Sequence, residues 1–263
     1  MEAPAGPPGG LGGWCGVLLL RKPVHLEAGP GDVAPLVVAV GDPGRAERLA
    51  TGLLEDARLV SSARGLKVYT GSFNGSEVTI ATHGIGGPSA AVVFEELRML
   101  GAEVLVRLGT SGGLSKDLRL GDVVVAAGAG CYWGSGGSIQ YAGERPMCLP
   151  ASPDPILTAG IYRGLSSRLG DRVVLAPVMS SDAFYAETPE AAGRWRSLGM
   201  AAVEMELHTL FSISWIRGFR SAGVLIVSDL LLPEGFKRIT PGELARREVE
   251  VGRALLEVLT GGV

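Results

Sequence analysis

The residues from Arg107 to Gly113, RLGTSGG, combine the side chains and the backbone that anion binding needs. An apolar run enters this heptapeptide with the character of a buried strand and then breaks into glycine and hydroxyl residues. Because glycine has no Cβ, backbone N–H groups at such a break can approach a ligand closely. Arg107, Thr110 and Ser111 add donors that suit phosphate oxygens. The alternative is an ordinary turn with a surface arginine, so the rest of the chain must decide.

Two further glycine-rich turns are also candidates for binding a ligand. The apolar residues 36–40 are followed by GDPGR at 41–45 and then by helical periodicity, and a helix N-terminus attracts anions. The turn HGIGGPS at 83–89 resembles a dinucleotide-binding fingerprint. However, Ser89 occupies the place of its third glycine, and no acidic ribose ligand follows the next strand. We therefore disfavour a Rossmann dehydrogenase.

Strand and helix patterns alternate along the chain and position these turns. The predicted strands are 36–40, 67–73, 77–82, 104–106, 122–127, 173–178, 201–203 and 224–227, with an Asn74-Gly75 hairpin turn. The predicted helices cover 46–53, 89–100, 154–169, 189–198 and 241–259, with another that ends at 215. This order predicts an α/β fold, and polar residues at the strand ends are where such sheets bind ligands.

Bulk properties exclude several classes of protein. The length of 263 residues fits one α/β domain, and 19% charged residues with a net charge of −3 do not fit a nucleic-acid-binding surface. Three cysteines, Cys15, Cys131 and Cys148, show neither metal-ligand spacing nor a secreted disulfide framework, so free thiols and one unusual disulfide both stay open. The apolar run at 17–20 is too short to span a membrane, and we expect a cytoplasmic protein without a membrane partner.

Two segments outside the predicted strands and helices have a distinctive composition. Residues 1–13 are rich in Gly, Pro and Ala, so we expect residues 1–22 to be a disordered leader and 23–263 to be the domain. The segment 128–153 is long, glycine-rich and aromatic, which is typical of a lid or binding loop.

Seven motifs occur together and in one order. They are GDPGR at 41–45, RG at 64–65, ATHGIGGPS at 81–89, RLGTSGG at 107–113, SSDAFYA at 180–186, AVEME at 202–206 and VSD at 227–229. With them, the chain from 23 to about 259 resembles the nucleoside phosphorylases of the purine and uridine phosphorylase superfamily. The nearest likeness is to the archaeal-type purine nucleoside and 5′-methylthioadenosine phosphorylases.

The resemblance implies a fold, a reaction and an assembly. The expected fold is a three-layer α/β structure with a central mixed twisted sheet flanked by helices. The expected reaction is phosphorolysis of purine nucleosides to a free purine and ribose 1-phosphate. Inorganic phosphate is then a co-substrate, with no metal and no organic cofactor. The expected assembly is a homohexamer, a trimer of dimers, with sites shared between subunits.

The resemblance also assigns a phosphate-binding set. Its members are Gly41, Arg45, Arg64, Arg107 and Thr110. In the family, the arginine that matches Arg64 comes from the neighbouring subunit. Three arginines suit a dianionic nucleophile, whereas any one of them alone is better explained as a solvated surface charge.

Sugar and base have their own predicted residues. For the ribose, Glu206 and less strongly Glu204 accept from hydroxyls, Met205 packs against the sugar, and His25 faces the 5′ position across the interface. The alternative for both glutamates is a structural role, in which a carboxylate stabilises the N-terminus of a helix. For the base, the resemblance implies Phe184 as the stacking residue, with Val203 and Ser228 beside it.

Asp229 is the predicted general acid. Protonating purine N7 makes the base a better leaving group, and an Asp can do this if burial or a nearby carboxylate raises its pKa. A helix-capping role is the alternative, but the apolar residues 230–232 favour a pocket. Related bacterial enzymes have an assisting arginine. Lys237, Arg238, Arg246 and Arg247 are nearby in sequence, and none aligns with it.

Three other functions stay open. A uridine phosphorylase would need a Gln-x-Arg pair to hold the edge of the uracil, and residues 185–198 contain no such pair. The segment Ser138-Ile139-Gln140-Tyr141 is nevertheless somewhat similar to the uridine phosphorylases. A nucleosidase that uses water would leave three arginines without an anion. A non-catalytic nucleotide-binding module would keep the glycine turns without needing Asp229 and Glu206 together.

Overall fold

A ten-stranded sheet crosses the structure, a computed structural model that describes residues 22–131, 151–232 and 235–261. The strands are β1 Leu36–Val40, β2 Glu55–Ser61, β3 Val68–Phe73, β4 Ser76–Thr82, β5 Val104–Gly113, β6 Val123–Cys131, β7 Val173–Ser180, β8 Ala202–Glu204, β9 Arg220–Leu232 and β10 Gly235–Arg238. Their order is β10-β9-β6-β7-β8-β5-β1-β4-β3-β2, and β5 also pairs with β9. Parallel and antiparallel pairs both occur, so the predicted mixed sheet is confirmed.

The helices surround this sheet. They are α1 Pro43–Leu53, α2 Gly87–Met99, α3 Pro155–Leu169, α4 Pro189–Ser197, α5 Leu207–Arg217 and α6 Pro241–Thr260. Side chains of Asp42, Asp154, Thr188 and Thr240 accept from the first free N–H groups of α1, α3, α4 and α6. Such a cap is worth about 1 kcal/mol, and it explains why these four helices begin where they do.

Two cores lie on opposite faces of the sheet. Successive side chains of a strand point to opposite faces, and in β1 Val37 and Ala39 join one buried cluster whereas Val38 and Val40 join the other. The first cluster packs under α2 and α5, and the second packs under α1, α3 and α6. The predicted three-layer arrangement is therefore confirmed.

Four neighbouring strands run in one direction, which decides where the polar turns meet. Strands β4, β1, β5 and β9 pair in parallel, so their carboxyl ends lie at one edge of the sheet. Strands β5, β9, β6, β7 and β8 also pair in a closed ring. The three glycine turns of the sequence consequently come together beside the end of β9.

The structure differs from the sequence predictions in several elements. The Asn74-Gly75 turn is confirmed, with φ of 49° and 76°, but β2 and β10 were not predicted. Strand β9 is longer than predicted, and β6 continues to Cys131, so residues 128–131 are not loop. Cys15, Cys148, the rest of the predicted lid except its last residues, Ser138–Tyr141 and nearly all of the predicted leader lie outside the described residues. Within those described, no helix is long and apolar enough to cross a membrane.

Candidate active site

A cavity of 410 Å³ opens at the shared edge of β1, β5 and β9. All of the predicted site residues except His25 and Arg64 line it: Gly41, Arg45, Arg107, Thr110, Phe184, Val203, Glu204, Met205, Glu206, Ser228 and Asp229. They come from five of the seven sequence motifs, and Gly84 and Ile85 of a sixth motif also line the cavity. A cavity of this size suits a small-molecule ligand.

Arg107 is the main cation of the cavity. Its side chain is almost completely buried, and its Nη2 donates to Glu206 while Nη1 lies 3.6 Å from a Glu204 oxygen. Its Nε and Nη1 have no hydrogen-bond partner among the described residues. Leaving buried donors without a hydrogen-bond partner is unfavourable, so these two donors are available to an acceptor on a ligand. A Cβ on Gly109 would collide with this guanidinium, which explains the glycine in the motif.

His83 lies beside Arg107 and Arg45 and is affected by their charges. Burial, and then the charges of Arg107 and Arg45, lower the pKa of the neighbouring His83 well below its usual value. His83 is fully buried and is therefore neutral at pH 7. Burial is the main cause of the neutral state of His83, and the two arginine charges act in the same direction.

Arg45 is oriented by a residue that the sequence did not reveal. Its Nε donates to Glu248 of α6 at 2.7 Å, and its Nη1 approaches the carbonyl oxygen of Leu108 at 3.4 Å. The other oxygen of Glu248 accepts from Arg48 at 2.6 Å. Glu248 is buried on the apolar face of α6, at helical spacing from Val251, and a charge in such a stripe is the signal that could have identified it.

The turn after β1 leads into α1, and the sequence suggested that free N–H groups at the start of this helix could bind an anion. Asp42 accepts from the N–H groups of Gly44 and Arg45 at 3.1 and 2.8 Å, so these donors are already used. The turn brings Gly41, Asp42, Pro43 and Arg45 to the cavity. A Cβ on Gly41 would lie 3.2 Å from the carbonyl oxygen of Gly84, which keeps the two glycine turns in close contact.

Glu206 and Glu204 have different surroundings. Glu206 is buried and accepts from the N–H of Gly86 at 2.7 Å and from Arg107. Glu204 accepts from Ser180 and from the N–H groups of Glu206 and Leu207, at the start of α5. Burial raises the pKa of Glu204, and the charge of Arg107 opposes that rise. These contacts give Glu204 the helix-end role that the sequence left open, whereas its role toward a sugar stays a prediction.

Asp229 also lines the cavity, and it pairs with Gly112 of β5. Its side chain is buried, and its Oδ1 accepts from the hydroxyl of Ser228 at 2.8 Å. The register between β5 and β9 shifts here: Ser111 faces Val227 and Gly112 faces Asp229, so Ser228 is an extra residue in β9. Such a bulge redirects the side chains beside it. Gly112 leaves the room that the carboxyl needs, since its Cβ would lie 2.9 Å from Oδ2.

The environment of Asp229 suits a general acid. Burial raises the pKa of this carboxyl above its usual value, while the Ser228 hydroxyl and the charge of Arg238 act against that rise. A carboxyl with a raised pKa holds a proton at a higher pH than a solvated Asp does. Asp229 is thus a group in this cavity that can deliver a proton.

Comparisons with known proteins agree with this geometry. The sequence profile of the phosphorylase superfamily matches residues 35–259. The chain belongs to the phosphorylase superfamily. It is 35% identical over 222 residues to a guanosine phosphorylase of Halorubrum lacusprofundi, covering 81% of this chain and 86% of the relative. It is 33% identical over 220 residues to a DeoD-type purine nucleoside phosphorylase of Myxococcus xanthus, covering 83% of this chain and 89% of that relative.

Solved structures show the same fold. A purine nucleoside phosphorylase of Toxoplasma gondii in complex with immucillin-H has a TM-score of 0.76 at 23% identity, covering 92% of this chain and 98% of that one. A uridine phosphorylase of Vibrio fischeri has a TM-score of 0.78 at 24% identity, covering 92% of this chain and 99% of that one. At this identity, these two structures support the phosphorylase fold and do not distinguish the two substrates.

Two cavity residues of this phosphorylase were missed in the sequence. Glu187 follows the short 3₁₀ turn of Phe184–Ala186, and burial, with a contribution from Asp229, raises its pKa to about 7. Arg238 of β10 lies opposite Asp229 in the strand pairing and also lines the cavity. Sequence alignment with the bacterial arginine did not reveal Arg238, because β10 was not predicted.

His25 and Arg64 do not reach the cavity of their own chain. The Nδ1 of His25 lies 2.7 Å from Glu96, which also accepts from the backbone N–H groups of Val24, His25 and Leu26. Arg64 is exposed in a 3₁₀ turn with a φ of 56°. Both side chains lie outside the cavity of their own subunit, and their role in the site of a neighbouring subunit stays a prediction.

Proposed function

We propose that this chain is a purine nucleoside phosphorylase, which converts a purine nucleoside and inorganic phosphate into the free purine and ribose 1-phosphate. The observation that carries the proposal is one cavity that is lined by two groups: Arg107, whose buried Nε and Nη1 have no hydrogen-bond partner among the described residues, and the buried carboxyl of Asp229. The names of the two relatives, which act on guanosine and on purine nucleosides, support the purine class.

The phosphate binds at the arginine end. Arg107 and Arg45, with Gly41 and Thr110, line that part of the cavity and neutralise the dianion. Glu248 fixes Arg45 through Nε, so the rest of its guanidinium points to a defined place. Because the donors are oriented before the phosphate arrives, little reorganisation accompanies the reaction.

The sugar and base lie between phosphate and Asp229. Glu206 keeps lone pairs free for the ribose hydroxyls, and Met205, Val203 and Phe184 supply apolar surface. The bond from C1′ to N9 breaks with its electron pair going to the purine, through an oxocarbenium-like transition state. A phosphate oxygen then bonds to C1′, and Asp229 gives its proton to N7. No metal and no organic cofactor takes part in these steps.

The rival functions are less well supported. Arg107 and Arg45 suit an anion rather than the water of a nucleosidase. A non-catalytic module has no use for a buried Asp229 with a raised pKa. Uridine phosphorylase is the nearest rival, since the fold is common to both enzymes. We also propose that the enzyme acts in the cytoplasm.

One activity panel tests the function. Inosine, guanosine, adenosine, methylthioadenosine and uridine are each incubated with the protein, with and without inorganic phosphate. We expect release of purine bases and of ribose 1-phosphate that depends on phosphate, with slower or no cleavage of uridine. Preferential cleavage of uridine would identify the rival enzyme, cleavage without phosphate would identify a nucleosidase, and purine binding without turnover would identify a non-catalytic module.

The assembly completes the site in this proposal. His25 and Arg64 lie outside their own cavity, so we propose that they reach the cavity of a neighbouring subunit in a homohexamer built as a trimer of dimers. His25 then faces the 5′ position of the sugar, and Arg64 adds a third arginine for the phosphate. The network around Glu96 holds the His25 segment in place for this role.

Mixed oligomers test the sharing of sites. We expect inactive His25→Ala and inactive Glu206→Ala chains to regain part of the activity when they are refolded together, since some interfaces then pair an intact His25 with an intact Glu206. The control mixes Glu206→Ala with Asp229→Asn chains, whose defects lie in the same cavity and which cannot complement. No recovery in verified mixed oligomers would show that His25 acts within its own chain or not at all.

A further inference from the structure

Arg196 of α4 is a charged side chain that the mechanism above does not use, and it joins two strands that build the cavity. Its Nε donates to the carbonyl oxygen of Leu114 at 2.5 Å, and its Nη2 donates to that of Leu231 at 2.8 Å. Leu114 directly follows β5, and Leu231 lies at the end of β9. One guanidinium therefore bridges the ends of two strands that lie far apart in the sequence. We call the residues Leu114 and Leu231 the strand junction.

The strand junction lies where the pairing of β5 with β9 ends. The last registered pair joins Gly113 to Leu230, one position before the two carbonyl groups that Arg196 binds. Backbone hydrogen bonds hold two strands together only along their paired length. The planar fork of an arginine presents several N–H groups in a fixed geometry, so one side chain can bind two carbonyl groups at once. Arg196 consequently extends the connection between β5 and β9 beyond their last backbone pair.

A small apolar cluster supports the same junction. Trp195, the neighbour of Arg196 in α4, is buried in one cluster with Leu114 and Val203, and Leu231 packs against that cluster. The helix therefore contacts the strand junction in two ways, through backbone carbonyl groups by Arg196 and through apolar side chains by Trp195. A large buried aromatic side chain provides much of the contact area in such a cluster. Packing thus fixes α4, and α4 in turn gives the guanidinium a defined position.

Asp229 lies only two residues before Leu231 in β9. On its other side, the extra residue Ser228 forms the bulge that interrupts the register with β5. A bulge disrupts the ladder locally, so the ladder alone holds this part of β9 less firmly than a regular strand. The side chain of Leu231 also fills the space over Gly112, the partner of Asp229, where a Cβ would collide with its Cδ1. The end of β9 that follows Asp229 is therefore fixed by the contacts of Leu231.

We propose that Arg196 is a positioning residue for proton transfer from Asp229: by holding the end of β9 against the end of β5, it keeps the carboxyl where the base can take its proton. This inference rests on the proposed purine phosphorolysis. Arg196 does not line the cavity, so it acts through the backbone of β9 and not on the substrate. Proton transfer needs a donor within hydrogen-bond reach, and a misplacement of about 1 Å can lower a rate roughly 10²-fold.

The phosphate residues should be much less affected by the loss of Arg196. Arg107 lies within the paired part of β5, opposite Gly223 of β9, and Arg45 is held by Glu248. Neither arrangement includes a contact with α4. Loss of Arg196 should therefore slow the step that needs the proton and leave the KM for phosphate nearly unchanged, whereas a general loosening of the cavity would change both.

The test compares the wild type with Arg196→Lys, Arg196→Gln and Arg194→Gln. The lysine keeps the charge and loses the fork that binds two carbonyl groups. Arg194 is an exposed arginine in the same last turn of α4 and does not line the cavity, so its variant is the matched control. For the purine nucleoside that the wild type cleaves fastest, we expect both Arg196 variants to lower kcat roughly 10- to 100-fold, and Arg194→Gln to leave it unchanged. Cleavage of the 7-methylated form of that nucleoside, which needs no proton at N7, should fall much less.

The outcomes separate this inference from the function on which it rests. A wild type that cleaves no purine nucleoside would overturn the proposed function, and the inference with it. Equal losses on the ordinary and the 7-methylated nucleoside would show that Arg196 only supports the structure, which disproves the positioning role while phosphorolysis stands. A kcat as high as that of the wild type in Arg196→Lys and Arg196→Gln would equally overturn it. Thermal denaturation of each variant sets the temperature of the kinetics, so that only folded protein is compared.

Discussion

Arg107→Ala should abolish phosphorolysis or raise the KM for phosphate, with a loss in kcat/KM of about 10²- to 10³-fold, the scale found when one preorganised donor is removed. The physical reason is that Nε and Nη1 of this buried guanidinium have no hydrogen-bond partner among the described residues. The measurement is initial rate against phosphate concentration at saturating nucleoside. An unchanged phosphate dependence would remove Arg107 from the anion site.

Arg107→Ala must be compared with a variant that keeps the charge, because it leaves Glu206 buried without its cation. Breaking a buried ion pair typically costs 3–5 kcal/mol, so thermal denaturation should accompany the kinetics. Arg107→Lys keeps a positive charge near Glu206 and loses the planar fork of donors. We expect this variant to fold and still to show a raised phosphate KM. Arg58→Ala, which removes an exposed arginine paired with Asp32, is the control that should leave phosphate kinetics unchanged.

Asp229→Asn should lower kcat for inosine and adenosine about 10²- to 10⁴-fold, the usual contribution of general acid catalysis. The amide has nearly the same size and can still accept from Ser228, but it has no proton to give. A 7-methylated purine nucleoside already has the positive charge that protonation of N7 would create. Its cleavage should therefore be much less affected by the same substitution.

Comparison of the two substrate classes distinguishes lost chemistry from lost structure. A distorted cavity would slow both classes, so equal losses would argue against Asp229 as the acid, and wild-type rates on inosine would exclude it. The pH dependence provides a second measurement. Because burial raises the pKa of Asp229, the wild type keeps its acid protonated to a higher pH than a solvated Asp would, and kcat should fall as pH rises through that pKa. With 7-methylated substrates this fall should disappear.

The sequence alone determined most of the site, because its chemistry is concentrated in short local motifs. In RLGTSGG, two glycines stand where a Cβ would collide with Arg107 or lie too close to Asp229, so local sequence and tertiary contact impose the same residue. The strand β1 and the Asn74-Gly75 hairpin follow from apolar runs and from turn residues with positive φ. These features depend on neighbours in the chain, and sequence patterns can therefore predict them.

The tertiary structure decided what depends on residues far apart in the chain. Glu248 contacts Arg45 across 203 positions, and no local pattern shows which cation a buried glutamate meets. Glu187 acquires its raised pKa, and Arg238 its place opposite Asp229, only when β9 and the turn after β7 close around one cavity. Burial and the distance between charges set these properties, and both exist only after the sheet has brought its strand ends together.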